Sequence, residues 1–279
     1  MSHRLGLLGH PVAHSKSPRI HQAFAASLGL ELSYEAIDVE PGTFAALVEA
    51  LFTNGYHGFN VTVPYKEEAY VAVDRLSDRA RLAAAVNTLL RTPEGILGDN
   101  TDGYGLVHDI VTRHGIALRG QRILVLGAGG AVRGVLDPVL KEQPASVTIA
   151  NRTQVKAEQL AAIFATQGEI QATPMADLRG PFDIIINGTA ASLGGDVPDL
   201  PAELCVGATL VYDMMYGAED TAFLRWAKTQ QPKQCLDGLG MLVSQAAESF
   251  RLWTGHAPDA EPVLQRLREE LSQPSGLLP

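Results

Sequence analysis

The sequence predicts an α/β protein built as two domains. Three observations predict it. Strand-like apolar runs alternate with helix-like segments in both halves, which implies parallel sheets. A glycine cluster, Gly127-Ala128-Gly129-Gly130, joins an apolar run to a helical segment near the middle. The chain has 279 residues, enough for two domains of ordinary size.

Composition excludes several classes of function. A hydrophobic fraction of 46% supports a packed core rather than global disorder. A formal net charge of −9 fits neither nucleic acid nor an anionic membrane surface, so any anion site is local. Cys205 and Cys235 are far apart and lack metal-ligand spacing, which suits buried thiols in a reducing, cytoplasmic setting. Met1-Ser2-His3-Arg4 leads into a strand-like run with no signal-peptide core, and no apolar stretch is long enough to span a membrane. His10 and His14 are four apart, but Pro11 between them argues against a helical metal pair, and no metal site is expected.

The first half begins with a buried strand, Leu5 to Gly9. Gly9-His10-Pro11-Val12-Ala13-His14-Ser15-Lys16-Ser17-Pro18 follows, and Pro18 suits the start of a helix to about Leu28 with Ser17 as its N-cap. Ser17 either caps only, or joins Ser15 in a carboxylate seat at the helix N-terminus. Leu32 to Val39 reads as a strand, and Pro41 opens a helix ending near Asn54-Gly55. Phe59 to Pro64 is a third strand, with Asn60 and Thr62 on one face and Tyr65 and Lys66 at its C-terminal end. In open α/β sheets that end is where ligands bind. A lysine there is commonly a surface charge, but within a cleft it can donate a proton. Ala80 to Ala85 is helix-prone, Val86-Asn87-Thr88-Leu89-Leu90 is a strand, and Gly98 to Gly103 is a turn before a helix from Tyr104 to His114.

In the second half, the run Ile123 to Leu126 ends at Gly127, and a helix follows from Ala131. This is the strand–turn–helix context of a dinucleotide-binding, Rossmann-type turn. Gly127 permits the tight turn and Gly129 lets the backbone approach a pyrophosphate at the helix N-terminus. Val132 holds the place of the third glycine, so close helix–strand packing must come about differently. The bland alternative is a glycine turn with no ligand. The next strand, Ser146 to Ala150, ends in Asn151-Arg152-Thr153, and Asn151 stands 24 positions after Gly127. An NAD site places an acid near there for the ribose. Arg152 and Lys156 stand there instead, which favours a 2′-phosphate and hence NADP(H). Thr153 can cap the following helix, from about Gln154 to Thr166, without conflict.

A weak strand at Ile170 to Thr173, buried strands at Phe182 to Asn187 and Leu210 to Tyr216, a helix from Thr221 to Thr229 and a strand from Lys233 to Leu236 complete the alternation. Leu239 to Thr254 carries an apolar stripe at 239, 242, 243, 246, 250 and 253, one face of a long helix. Glu261 to Leu271 is a last helix, and Gln273-Pro274-Ser275-Gly276 reads as a loose tail. There is no internal repeat.

Taken in order, these motifs resemble the shikimate dehydrogenase family: the Gly9–Pro18 segment, Asn60-Val61-Thr62-Val63-Pro64-Tyr65-Lys66, Asn87-Thr88, Asn100-Thr101-Asp102-Gly103, the glycine turn through Ala131, Asn151-Arg152-Thr153, and Asp237 to Ala246. The likeness spans nearly the whole chain. It implies an N-terminal α/β substrate domain, residues 1–102 completed by 239–279, and a doubly wound NADP domain, residues 103–238, with a cleft between them. It implies that Ser15 and Ser17 hold a substrate carboxylate, that Thr62, Lys66, Asn87, Asp102 and Gln245 contact the ring hydroxyls or the reacting oxygen, and that Tyr216 is a further substrate-side residue. Lys66 resembles the catalytic acid/base, paired with Asp102. Gly127, Ala128, Gly129, Gly130, Ala131, Asn151, Arg152, Thr153 and Lys156 would hold NADP(H), with Met214, Gly238 and Met241 at the nicotinamide. Lys156 stands where relatives often carry arginine, which implies a less bidentate grip. The activity implied is reversible reduction of 3-dehydroshikimate by NADPH. The alternatives are a quinate/shikimate dehydrogenase that uses NAD, another two-domain NADP enzyme such as a methylenetetrahydrofolate dehydrogenase, and a non-catalytic NADPH-binding regulator of the same fold. A homodimer is a further expectation; nucleic acid and membrane are not expected partners.

Overall fold

The computed structural model describes residues 3–189 and 200–273, so the expected tail lies outside them beyond Gln273. Two compact units emerge, one of residues 1–105 and 243–263, the other of residues 106–242 and from Leu264 on.

In the first unit the chain runs β1 (His3–Gly9), α1 (Ser17–Leu28), β2 (Leu32–Asp38), α2 (Phe44–Thr53), β3 (Gly58–Val61), α3 (Lys66–Ala72), β4 (Arg75–Leu76), α4 (Asp78–Ala83), β5 (Thr88–Thr92), β6 (Gly95–Asp99) and the start of α5 (Asp102–Val107). Among the described residues its sheet has the order β2-β1-β3-β5-β6-β4. The sheet is mixed rather than parallel: β1 pairs in parallel with β2 and β3, but β5 runs antiparallel to both β3 and β6. The cause is local. Thr92 pairs with Gly95 across a two-residue loop, so β5 and β6 form a hairpin where the sequence showed only one strand.

Two element starts differ from expectation. Pro41 does not open α2, which begins three residues later. Instead the Thr43 N–H bonds the Glu40 carbonyl, and Gly42 at φ 82° makes a type II turn with Pro41 before it. Ser17 is the first residue of α1 and not its cap; its own N–H donates to Ser15 Oγ at 3.2 Å, so Ser15 satisfies one of the free N–H groups of the first turn. The fully buried Phe59, Leu8 and Leu89 centre the main core of this unit. Such a side chain contributes roughly 1.5–3 kcal/mol when buried.

In the second unit β7 (Arg122–Leu126), α6 (Gly130–Lys141), β8 (Ser146–Ala150), α7 (Gln154–Phe164), β9 (Ile170–Ala172), β10 (Ile184–Asn187), β11 (Leu210–Asp213), α8 (Ala222–Thr229) and β12 (Cys235–Asp237) alternate as expected. Every described pairing is parallel, in the order β12-β11-β10-β7-β8-β9. This is the doubly wound dinucleotide-binding order, which reverses between β7 and β10. Ahead of it, α5 continues as a π-helix over His108–Arg113.

The last two helices are α9 (Leu239–Thr254) and α10 (Glu261–Ser272). From Val243 on, α9 groups with the first unit, where Trp253 Nε1 donates to the Leu89 carbonyl at 2.8 Å. The sequence reading put α10 with the first domain, whereas the contacts group it from Leu264 with the second unit. There Arg268 grips both carboxylate oxygens of Asp237, one at 2.7 Å.

Candidate functional site

In the first unit a polar cluster forms where β5, the start of α5 and α9 meet. Lys66, the first residue of α3, places Nζ 2.6 Å from Asp102 Oδ2. The other carboxylate oxygen of Asp102 accepts from Asn87 Nδ2 at 2.8 Å. Asn87 Nδ2 also reaches Gln245 Oε1 at 3.1 Å, and its Oδ1 accepts the Thr101 N–H at 2.9 Å. Lys66, Asn87, Asp102 and Gln245 are thus brought into one network. Its inner members are buried, while the Lys66 side chain keeps 29% exposure, so an ammonium there can reach a ligand.

Sequence reasoning missed the residues that hold this network. Thr101 and Ser249 are fully buried, and their hydroxyls lie 3.1 Å apart. Ser249 also meets Thr88 at 2.8 Å and Asn60 Nδ2 at 3.1 Å. A signal existed: Gln245 and Ser249 are polar residues four apart on a helix that also carries the apolar stripe 239, 242, 243, 246, 250 and 253.

A charged brace stands behind the loop that carries Asp102. Arg79 grips both oxygens of Asp99 at 2.7 Å and reaches Glu248 on α9 at 3.0 Å. Burial pushes the Asp99 carboxyl up, but Arg79, Ser77 and the Asn100 N–H outweigh it and hold the group below its ordinary range. Glu248 is lowered in the same way, its burial outweighed by Arg251 and Arg79.

Ser15 is half-buried, and Ser17 is buried beside the start of α1. Thr62 follows β3, with its methyl packed so closely on Gly9 that a Cβ there would lie 2.4 Å away. Tyr216 belongs to the second unit, unlike the other expected substrate residues. Burial and then the nearby Asp237 raise its phenol above the ordinary value.

The second unit's glycine turn joins β7 to α6. Gly127 has φ 106°, a left-handed value that favours glycine. A Cβ on Gly129 or Gly130 would meet open space, so the backbone at the α6 N-terminus is free to take a close ligand. The place of the missing third glycine is resolved from the opposite side. Val132 is fully buried, and Gly188 after β10 makes its room. Asn151, at the end of β8, donates from Nδ2 to the Thr153 carbonyl at 2.9 Å. Thr153 occupies the N-cap position of α7 but makes no side-chain cap bond, contrary to expectation. Arg152 and Lys156 are exposed. Met214 after β11 is buried against Gly238, whose Cβ would lie 2.1 Å from the Met214 carbonyl oxygen. Met241, in the first turn of α9, is buried as well.

Three family models match the chain in succession: the shikimate dehydrogenase substrate binding domain over residues 7–89, shikimate / quinate 5-dehydrogenase over 109–194, and the shikimate 5′-dehydrogenase C-terminal domain over 238–268. The chain is 54% identical over 263 residues to the shikimate dehydrogenase (NADP(+)) of Hahella chejuensis, covering 94% of this chain and 97% of that one. The chain belongs to the shikimate dehydrogenase family. Solved structures agree. The Ael1 enzyme from Pseudomonas putida is similar at TM-score 0.92 and 41% identity, covering 98% of this chain and 99% of that one. Shikimate 5-dehydrogenase from Thermus thermophilus, in complex with NADP(H) and shikimate, matches at TM-score 0.86 and 37% identity, over 96% of this chain and 100% of its own. Family membership accounts for the order of motifs. Lys66 and Asn87 lie in the first model, Gln245 in the last and the glycine turn in the middle one, while Asp102 falls between the first two. Among the described residues no helix is long and apolar enough to cross a membrane.

Proposed function

We propose that this chain is an NADP-dependent shikimate dehydrogenase, which reversibly reduces the ketone of 3-dehydroshikimate to the alcohol of shikimate. The observation that carries the reading is the Lys66–Asp102 contact at 2.6 Å, tied through Asn87 to Gln245. When bound, NADPH supplies the hydride. The chain supplies the proton and the charge compensation. Lys66 stabilises the oxygen as it gains charge and delivers a proton to it; in the oxidative direction it takes that proton back. Asp102 divides its two oxygens between Lys66 and Asn87, so it cannot rotate away from the lysine. Ser15 and Ser17 hold the ring carboxylate, Thr62, Asn87 and Gln245 take ring hydroxyls, and Tyr216 is a further substrate-side residue.

The residues of the second unit fit the cofactor. Gly127 makes the turn, and Gly129 and Gly130, flanked by Ala128 and Ala131, offer open backbone at a helix N-terminus for the pyrophosphate. Asn151, Arg152, Thr153 and Lys156 present two exposed cations and no carboxylate, which suits the 2′-phosphate. Met214, Gly238 and Met241 border the nicotinamide. The proposal extends to the cytoplasm, which the free thiols of Cys205 and Cys235 support.

Absorbance at the nicotinamide band tests the reading. Shikimate with NADP should produce NADPH, and quinate or NAD should be much poorer. No turnover of shikimate with NADP refutes it; equal turnover with NAD refutes the cofactor assignment.

A further inference from the structure

Helix α1 carries Ser17 and His21 four positions apart, on one buried face. The fully buried His21 ring stacks on Tyr34 with centroids 4.4 Å apart, and Phe250 and Trp253 lie 6.2 and 5.2 Å away. His21 Nε2 is 3.0 Å from Asn60 Oδ1, and the Tyr34 hydroxyl donates to the same oxygen at 2.8 Å.

The tautomer follows from these contacts. Asn60 Nδ2 lies 3.2 Å from the Asn87 carbonyl, which can only accept, so the amide nitrogen points there and Oδ1 faces His21. Since Oδ1 cannot donate, His21 Nε2 carries the hydrogen. Among the described residues His21 Nδ1 has no hydrogen-bond partner, and burial lowers the pKa of the ring to about 3. A neutral imidazole outside the catalytic network therefore spends its one N–H on Asn60.

Asn60 is a hub. On one side it ties to Ser17 through His21, four positions further along the same buried face of α1, and the Tyr34 hydroxyl shares the Asn60 Oδ1 with His21. On the other side Asn60 Nδ2 holds Ser249 and the backbone of Asn87, whose side chain holds Asp102. Ser17 and Asn87 belong to opposite ends of the proposed substrate seat.

We propose that His21 and Tyr34 are positioning residues that, through Asn60, keep the Ser17 hydroxyl and the Asn87 amide in one register, and so set the reach from the substrate's carboxylate to its reacting oxygen. This rests on the proposed function. Neither residue touches substrate.

Three variants test it. Tyr34→Phe deletes one hydroxyl from a buried ring. His21→Phe removes the donor and keeps a ring, and His21→Gln keeps an N–H for Asn60. Melting temperature is measured for each, then kcat and KM for shikimate and for NADP well below it. Tyr34→Phe and His21→Phe should raise the KM for shikimate about tenfold, the size of one lost neutral hydrogen bond, and lower kcat. The KM for NADP should stay within about twofold, and His21→Gln should recover most of kcat/KM. If His21→Phe does not fold, Tyr34→Phe set against His21→Gln gives the same comparison. Folded variants whose melting temperature falls while the shikimate constants stay put overturn the inference, as do equal rises in both KM values. A wild type inactive on shikimate with NADP removes the proposed function as well; an active wild type with unaffected variants removes the positioning role alone.

Discussion

Val132 occupies the space that Gly188 leaves open: a Cβ on Gly188 would stand 2.4 Å from Val132 Cγ2 and 3.0 Å from Met214 Sδ. The usual dinucleotide turn puts a glycine on the helix so that it can approach the sheet. Here the helix keeps a valine, and the neighbouring strand end gives way. Gly188→Ala should therefore overpack the switch point and cost about 1–3 kcal/mol in denaturant unfolding. Adding Val132→Ala should recover part of that loss, although Val132→Ala alone leaves a cavity. Strict additivity of the two changes would show that the side chains do not meet.

Lys66 and Asp102 are expected to act in the chemical step. Lys66→Met removes the ammonium and leaves Asp102 held by Asn87. The kcat for shikimate should fall by about 10²–10⁴-fold, with little change in KM or melting temperature. A kcat close to wild type removes Lys66 from the proton transfer.

Arg152 is expected to read the 2′-phosphate. Arg152→Ala should raise the KM for NADP by about 10–100-fold, the size of a charge-assisted contact. NAD use should barely change. Equal losses with both cofactors would mean that Arg152 supports the fold of α7 and not the phosphate.

How much of this was legible depends on whether the signal was local. The second unit could be read almost element by element. Its strands are continuous apolar runs such as Ile184-Ile185-Ile186, buried on both faces and bounded by glycine or capping residues. The β5–β6 hairpin was not legible, because its loop, Pro93-Glu94, is not one of the usual two-residue hairpin turns. Ser17 was misread as a cap because Ser15 and Ser17 offer the same hydroxyl, and only the backbone path decides which meets the free N–H. Lys66, Asn87 and Asp102 sit in motifs and could be named. Ser249 joins them from 148 positions beyond Thr101, a pairing that only tertiary structure creates.

Arg79 should be more costly to lose than a surface cation. Its guanidinium serves both Asp99 and Glu248, which are almost wholly buried. Arg79→Gln leaves the Asp99 carboxylate to neutral donors and Glu248 to Arg251, and breaking such a buried pair costs roughly 3–5 kcal/mol. Replacing Arg79 and Asp99 together by Met and Asn should cost less than Arg79→Gln alone. A smaller loss for the single variant than for the double would rule out a buried charge left uncompensated.

His21 gives the protein a built-in acid limit. Its pKa is lowered by burial to about 3, against 6.5 for an ordinary imidazole, and its ring neighbours Tyr34, Phe24, Phe250 and Trp253 carry no charge that would favour protonation. Between those two values the unfolded chain binds a proton at this residue that the folded chain does not. Stability at this site is thus complete above pH 6.5 and is lost as pH falls from there towards 3, with a slope of up to about 1.4 kcal/mol per pH unit. Asp99 and Glu248, both lowered, add losses below the ordinary carboxylate range, and they do so equally in any His21 variant. His21→Gln keeps the N–H and removes the titration. Urea unfolding at a series of pH values from about 7.5 down to about 4.5 should show wild-type stability falling more steeply than that of His21→Gln once pH drops below the ordinary imidazole value, with the two curves parallel above it. Parallel curves over the whole range would mean that the folded protein protonates His21 as readily as the unfolded chain does.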